Sequence, residues 1–333
     1  REMRRTPMKE QPGEQLLAVE DDRALRARVG PYLYRQRLNI QRYHLAQIIG
    51  QGQTLLHPEN IVALGTTIRV VLKTLGLYAW GNRQARRIRV MEDHAALQRL
   101  PADFAGYRIL HLSDLHLDVG GGVAEAIRDT VAPLAYDLCV ITGDFRSAVK
   151  GPYDDMLAQT ARLMEVVHGP VYGVLGNHDC LELVPHLESM GIRLLMNENM
   201  VVERNGSRLF IAGIDDPHFY ETDNLEKALA GIPEDGCTVL LSHTAEPYRQ
   251  ALAAGVALML SGHTHAGQIC LPGGIALFNN AKHPRSMLKG PWQRGALRGY
   301  TSSGAGSCMV PVRFFAPPEV TLHILAPAAQ DTQ

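Results

Sequence analysis

Six short apolar runs, RILHL, LCVIT, VYGVL, RLFIAGI, CTVLL and ALMLS, fall between residues 108 and 261 of this 333-residue chain. Runs so short and so continuously apolar read as strands buried on both faces. Helical patterning over residues 123–134, 154–167, 181–190, 224–229 and 245–253 supplies the layers to cover them. The alternation predicts an α/β fold with largely parallel strands packed under helices. Five of the runs then exit into residue types that bind metals. Ser113-Asp114-Leu115-His116 follows the first, Gly143-Asp144 the second, Gly176-Asn177-His178-Asp179 the third, Ser242-His243 the fifth and Gly262-His263-Thr264-His265 the sixth. Loops beyond the C-terminal ends of strands converge in such sheets, so five strands deliver Asp, His and Asn to one rim.

Spacing is a second constraint. Asp114 and His116, and again His263 and His265, are two residues apart, a separation that lets both side chains of a pair reach one cluster from extended or turning backbone. The mixture of carboxylate, imidazole and amide suits Mn²⁺, Fe²⁺, Co²⁺ or Zn²⁺ better than Mg²⁺ or Ca²⁺, which favour all-oxygen shells. Taken singly, Gly-Asp and Gly-Asn-His-Asp are common turn sequences. Turns alone do not account for all five blocks standing at strand exits.

In this order the blocks D-x-H, G-D, G-N-H-D, H and G-H-x-H resemble the calcineurin-like metallophosphoesterases, over about residues 105–325. The resemblance implies a β-sandwich flanked by helices, an α-β-β-α arrangement. It implies that Asp114, His116 and His265 bind a first divalent ion, that Asn177, His243 and His263 bind a second, and that Asp144 bridges them. Seven ligands exceed what one first-row ion accepts, so two ions are expected, Mn²⁺ first and Fe²⁺, Co²⁺ or Zn²⁺ as alternatives. His178 would stabilise the transition state or protonate the leaving oxygen, and Asp179 would fix its imidazole. Ions roughly 3.5 to 4 Å apart would activate water in line with phosphorus. Arg146 is a candidate contact for substrate phosphate, beside its reading as a solvated loop arginine. One departure is Ala266, where the pattern has glycine, and its methyl is expected to narrow the approach to the first ion. His111 reads as a core histidine or one lying behind the ligands, while Asp118, Asp215 and His218 are candidate rim residues.

Finer resemblance, in I-A-G-I-D-D, L-S-G-H-T-H-A-G-Q-I and Y-T-S-S-G-A-G-S-C-M-V-P-V-R-F-F-A-P-P-E-V, is to a bacterial membrane-associated branch. That branch includes small phosphodiesterases and a UDP-2,3-diacylglucosamine pyrophosphatase of lipid A synthesis. It implies a lipid-linked or nucleotide-sugar-lipid substrate. The competing readings are a phosphodiesterase for soluble diesters or nucleic acid, and a scaffold without metals. An acidic catalytic part without an aromatic-basic stripe speaks against nucleic acid, and no ligand is missing as a scaffold would require.

The boundary between a helical, basic extension (1–100) and the catalytic domain (101–330) is drawn at Pro101. Residues 31–90 carry nine Arg/Lys and one acid, although the whole chain has a formal net charge of −1. Apolar residues at helical spacing over 61–79 predict one amphipathic helix in that basic part. An anionic membrane surface is its expected partner, a cap over the site entrance or packing on the catalytic domain being the alternatives. The five cysteines are scattered and form no C-x-x-C pair, and no spanning or signal segment is legible. These features predict a cytoplasmic protein, peripheral on the inner membrane.

Overall fold

The computed structural model describes residues 19–42, 62–276 and 281–328. Fourteen strands run in chain order: β1 Arg89–Leu97, β2 Arg108–Leu112, β3 Leu138–Thr142, β4 Val171–Val174, β5 Ile192–Leu194, β6 Glu198–Arg204, β7 Ser207–Gly213, β8 Thr238–Leu241, β9 Leu258–Ser261, β10 Cys270–Leu271, β11 Ile275–Ala276, β12 Gly290–Arg294, β13 Leu297–Thr301 and β14 Glu319–Pro327. All six apolar runs are strands. One six-stranded sheet has the order β1-β14-β2-β3-β4-β5 and the other β12-β13-β9-β8-β7-β6, with β10 and β11 forming a separate hairpin. Within the sheets β2 to β5 are parallel, as are β7, β8, β9 and β13.

Strand alternation explains the layering. Ile109, Val140 and Val174 of the first sheet meet Ile211, Val239 and Leu260 of the second in an interlayer core, all fully buried. The alternate residues Leu110, Leu112, Cys139 and Ile141 turn outward, against Val123, Ile127, Leu163 and Leu187 of the covering helices. On the far face Ala212, Leu240 and Met259 pack under Ala228, Ala251 and Trp292. The result is the expected α-β-β-α sandwich, in which the two inner faces pack on each other and both outer faces are covered.

Residues before Pro101 differ from the expectation in two ways. The polar stretch 89–97 is an edge strand, pairing in parallel along its whole length with β14. The helical pattern over 61–79 is two helices, α3 Val62–Thr74 and α4 Tyr78–Ala85, following α1 Val19–Val29 and α2 Pro31–Arg42; residue 61 lies outside the described part. Gly76 ends α3. Its φ is +70°, its N–H donates to the Lys73 carbonyl, and the next N–H, of Leu77, donates to the Leu72 carbonyl. That pairing of bonds is a Schellman stop, which periodicity does not encode.

Part of the basic region is bound into the fold. Arg37 of α2 is fully buried, with Nη1 2.5 Å from Asp215 Oδ1, Nη2 donating to the Asp179 carbonyl at 3.0 Å and the guanidinium 4.0 Å above the Tyr220 ring. Arg28 of α1 reaches Glu188 and Glu198 at 3.0 Å each. Removing one partner of a buried pair strands the other. Arg37→Ala is therefore expected to lower unfolding stability by about 3 kcal/mol, and Arg28→Ala, part-exposed, by about 1 kcal/mol or less. Urea titration of both variants measures the contrast.

Candidate metal centre

Every predicted ligand stands just past the C-terminal end of a strand and is buried, except His263, which is part-buried. The two sheets contribute jointly. Asp114 and His116 follow β2, Asp144 follows β3 and Asn177 follows β4; from the other sheet, His243 follows β8, and His263 and His265 follow β9. Asp114, His116 and His265 form one group of converging donor atoms, and Asp144, His243 and His263 a second. In the first, His116 Nε2 and His265 Nε2 are 3.1 Å apart and His265 Nε2 lies 3.5 Å from Asp114 Oδ1. In the second, Asn177 Oδ1 lies 2.8 Å from His243 Nε2 and 3.0 Å from His263 Nδ1. Asp144 Oδ2 stands between the groups, 3.7 Å from His116 Nε2 and 3.4 Å from His243 Nε2.

The donor set fits cations. His116 Nδ1–H donates to the Arg146 carbonyl at 2.7 Å and His243 Nδ1–H to the Thr142 carbonyl at 2.8 Å. Each bond fixes the tautomer and turns the Nε2 lone pair into the cluster. Burial pushes His116 down to about 3 and holds His263 and His265 well below the usual histidine range. Burial opposes charge on His243 too, yet the Asp144 carboxylate, helped by Asp114, raises it to about 10. Asp144 responds in kind: burial works against its charge, but His243, His178 and His116 hold it well below the carboxylate range. A proton on His243 thus offsets the charge of Asp144 and Asp114, and a divalent ion held there would take its place.

Backbone strain concentrates here. Asp114, His116, Asp144, His263 and His265 all have positive φ, between 41° and 71°, a region that costs an L-residue about 1–2 kcal/mol. The ligands are aimed by bends in the chain, and spacing alone did not reveal that. Asp179 is a principal restraint. Its carboxylate accepts the N–H groups of Asp144 and Gly176 at 2.8 Å and of Phe145 at 2.9 Å. Asp114 similarly accepts the His263 N–H at 3.0 Å and the Ser113 hydroxyl at 2.7 Å. The glycines before Asn177 and His263 are required by proximity: a Cβ on Gly176 would collide with Asp144 Oδ1, and one on Gly262 with Asp114 Oδ2.

Asp179 therefore has a different task from the one expected. It clamps two ligand loops, while the His178 ring is oriented by Nδ1–H donating to the Ser147 carbonyl at 2.7 Å. His178 itself lies beside the centre, its ring 5.1 Å from that of His116. The Arg146 guanidinium is not a solvated loop group: it is buried, with Nη2 donating to the Gly151 carbonyl at 3.0 Å and Nη1 3.7 Å from Cys180 Sγ. Asp118 accepts the Ser147 N–H, and Asp215 is the partner of Arg37. The His218 ring lies tilted against that of His263, centroids 4.4 Å apart, and contacts Glu246 at 2.7 Å. Ala266 has φ +51° and ψ +25°, the left-handed conformation that glycine enters without cost.

Two arrangements were given no role in the sequence reading. Arg313, fully buried, donates to the carbonyls of His265 at 2.7 Å and Gly304 at 3.1 Å, tying the last ligand loop to the segment beside Asp114. A polar chain also crosses the interlayer core behind Asp114. Ser113 Oγ lies 2.7 Å from Thr142 Oγ1, which is 2.8 Å from His111 Nε2; His111 Nδ1 is 3.3 Å from His323 Nε2, and His323 Nδ1 is 2.9 Å from Asp93 Oδ2. His111 signalled this only as a polar residue within an apolar run. His323 and Asp93 belong to the β14–β1 pair, which the sequence did not disclose.

With this geometry established, comparison with known proteins gives one answer. Residues 107–267 match the family model described as calcineurin-like phosphoesterase. A "Transmembrane protein with metallophosphoesterase domain" of Danio rerio is 30% identical over 306 residues, covering 81% of this chain and 65% of that protein. Its namesake in Bos taurus is 29% identical, covering 80% and 62%. The uncharacterized metallophosphoesterase YkoQ of Bacillus subtilis is 30% identical over 226 residues, covering 65% of this chain and 82% of that protein. The chain belongs to the calcineurin-like phosphoesterase family, and its domain is that of a metal-dependent phosphoester hydrolase. It spans less than two thirds of the length of the two vertebrate relatives. Among the described residues no helix is long and apolar enough to cross a membrane.

Two variants test this account of the site. Ala266→Gly removes left-handed strain and is expected to raise stability by about 1 kcal/mol, read as a higher urea midpoint. Burial, and then His323, hold His111 well below 6.5. An unfolded chain therefore binds a proton there that the folded chain refuses, and the stability from this group is full above that pH and lost as pH falls. His111→Gln is expected to flatten the loss of stability below pH 6.5 by about 1.4 kcal/mol per pH unit. Denaturation midpoints of wild type and variant across the acidic range check the slope.

Proposed function

We propose that this protein is a two-metal hydrolase of a phosphodiester or pyrophosphate bond in a lipid-linked substrate, a nucleotide-sugar lipid such as UDP-2,3-diacylglucosamine being the chemistry we favour, and that Mn²⁺ is its metal. The observation that carries the two-metal reading is the placement of Asp144 Oδ2 between the donor groups, 3.7 Å from His116 and 3.4 Å from His243. Asp114, His116 and His265 would hold one ion, Asn177, His243 and His263 the other, with Asp144 shared. Two bound divalent ions supply Lewis acidity toward the phosphoryl oxygens and lower the pKa of water.

The chain's own residues do the rest. His178 Nδ1–H is committed to the Ser147 carbonyl, so the proton this histidine offers a leaving oxygen is the one on Nε2 of the imidazolium. Asp179 keeps Asp144 and Gly176 in register while that transfer occurs. Support for a lipid-linked substrate is the sequence resemblance to the membrane-associated branch and the basic stretch before Glu92, most of whose described basic side chains are exposed, with Arg37 buried in an ion pair. On the same grounds we propose a peripheral position on the inner face of a membrane, with no nucleic-acid partner.

Chelated protein is expected to be inactive and to recover best with Mn²⁺ when Fe²⁺, Co²⁺ and Zn²⁺ are tried in parallel. Asp144→Ala should lose activity and retain one ion or fewer by elemental analysis; full activity in it would sink the dinuclear reading. His178→Ala should keep both ions and lose at least about tenfold in rate. A panel of nucleotide-sugar lipids, phospholipids, cyclic nucleotides and DNA assigns the substrate, and turnover confined to the soluble diesters would remove the lipid-linked one.

A further inference from the structure

Residues 60–91, with six Arg/Lys, and residues 247–318, with seven, are two of the chain's long stretches without a carboxylate. They are distant in sequence but meet at one surface. There, Trp80 and Arg89 from the first stretch and Gly273, Gly274, Lys289 and Phe315 from the second line a cavity of about 500 Å³. A second cavity, about 360 Å³, shares Gly274 and Lys289 and extends to Ile275 and Arg285. Trp80 anchors the junction, its ring 5.0 Å from that of Phe314 and 5.7 Å from that of Phe315.

The same two stretches carry every large apolar side chain that stands exposed among the described residues, except Tyr32 and Val201. Leu75 is 63% exposed at the end of α3 and Ile275 60% exposed on the β10–β11 hairpin. The apolar stripe of α3 is divided: Ile68 and Leu72 pack on Val310, Val312 and Phe314, while Val70 and Val71 face solvent. Packing on the domain explains the first pair and leaves the second without a partner.

We propose that this composite face, α3, α4, the β10–β11 hairpin and the Arg89–Lys289 cavity between them, docks on an anionic phospholipid bilayer, with the cavity receiving a lipid phosphate. This deepens the lipid-linked reading above and can fail separately from it. Cations drawn from stretches of sequence that contain no carboxylate suit any polyanion, but exposed Leu, Ile and Val gain nothing from nucleic acid. Aliphatic side chains beside Trp, Lys and Arg are the composition that sits at a headgroup boundary, with rings at the interface and basic groups reaching up to phosphate. The face adjoins the metal centre, for Ala266, next to His265, lines the smaller cavity. Arg313 lines the larger cavity and holds the His265 carbonyl at 2.7 Å.

Sedimentation of the full chain with phosphatidylcholine vesicles, with and without phosphatidylglycerol, is the test. Binding is expected only to the anionic vesicles, and vesicles with brominated acyl chains should quench Trp80, leaving buried Trp292 as an internal reference. Arg89→Glu with Lys289→Glu, and separately Leu75→Ser with Ile275→Ser, should each weaken binding about tenfold or more while sparing hydrolysis of a small chromogenic diester. No binding to anionic vesicles at low salt would overturn the proposal. So would binding without quenching, which any polyanion could reproduce, or undiminished binding by both double variants. A dimer dissolved by Leu75→Ser with Ile275→Ser would make the face an interface between copies instead. Turnover of a long-chain substrate is scored independently: docking without it discards the lipid-substrate reading alone.

Discussion

Three N–H groups on one carboxylate hold the centre together. Asp179 accepts from Asp144, Phe145 and Gly176, so the exits of β3 and β4 are fixed to each other before any metal arrives. Burial, together with the Asp144 charge, pushes Asp179 up to about 6, and the three amides are what keep it useful as an acceptor at neutral pH. From this clamp the rest of the geometry follows. Asp144 is aimed between the two imidazole groups, the His116 N–H meets the Asp144 carbonyl at 3.0 Å, and the His178 N–H meets Asp144 Oδ1 at 2.9 Å.

What the sequence disclosed was the part governed by local pattern. Continuous apolar runs identified β2, β3, β4, β7, β8 and β9, because strands buried on both faces have no alternation to obscure them. The residue types at their exits identified the converging side chains. Hidden from that reading were the features set by long-range pairing. β1 reads RVMEDHAAL, with polar and apolar residues mixed along its exposed positions, and becomes a strand only because β14, more than two hundred residues later, offers it a ladder. Asp179 was assigned to its neighbour His178 by adjacency, but in a turn the side chain after an imidazole points elsewhere. Arg313 sits in a loop with no periodicity, and only its burial reveals what it holds.

The basic character of residues 31–90 also divides once the fold is known. Arg37 is an internal counter-ion, facing Asp215 and Tyr220 and touching the carbonyl beside His178. Arg69, Lys73 and Arg89 are exposed, in a stretch of sequence that contains no acid. Net charge counts both kinds alike, although the first belongs to the stability of the molecule and the second to whatever it meets. Arg37 also makes α2 a structural neighbour of the catalytic loops, so the helices before Pro101 are not an appendage that merely trails from the sandwich.

The positive φ angles of five predicted ligands bear on how such a protein changes over generations. Each left-handed Asp or His is a residue that glycine would replace with relief of strain, and each is also a buried polar group that an unloaded site struggles to satisfy. Drift without selection for metal would therefore run downhill, toward a more stable molecule with an emptied rim. A lineage kept only for its shape should shed these side chains first. All seven predicted ligands are present in this chain.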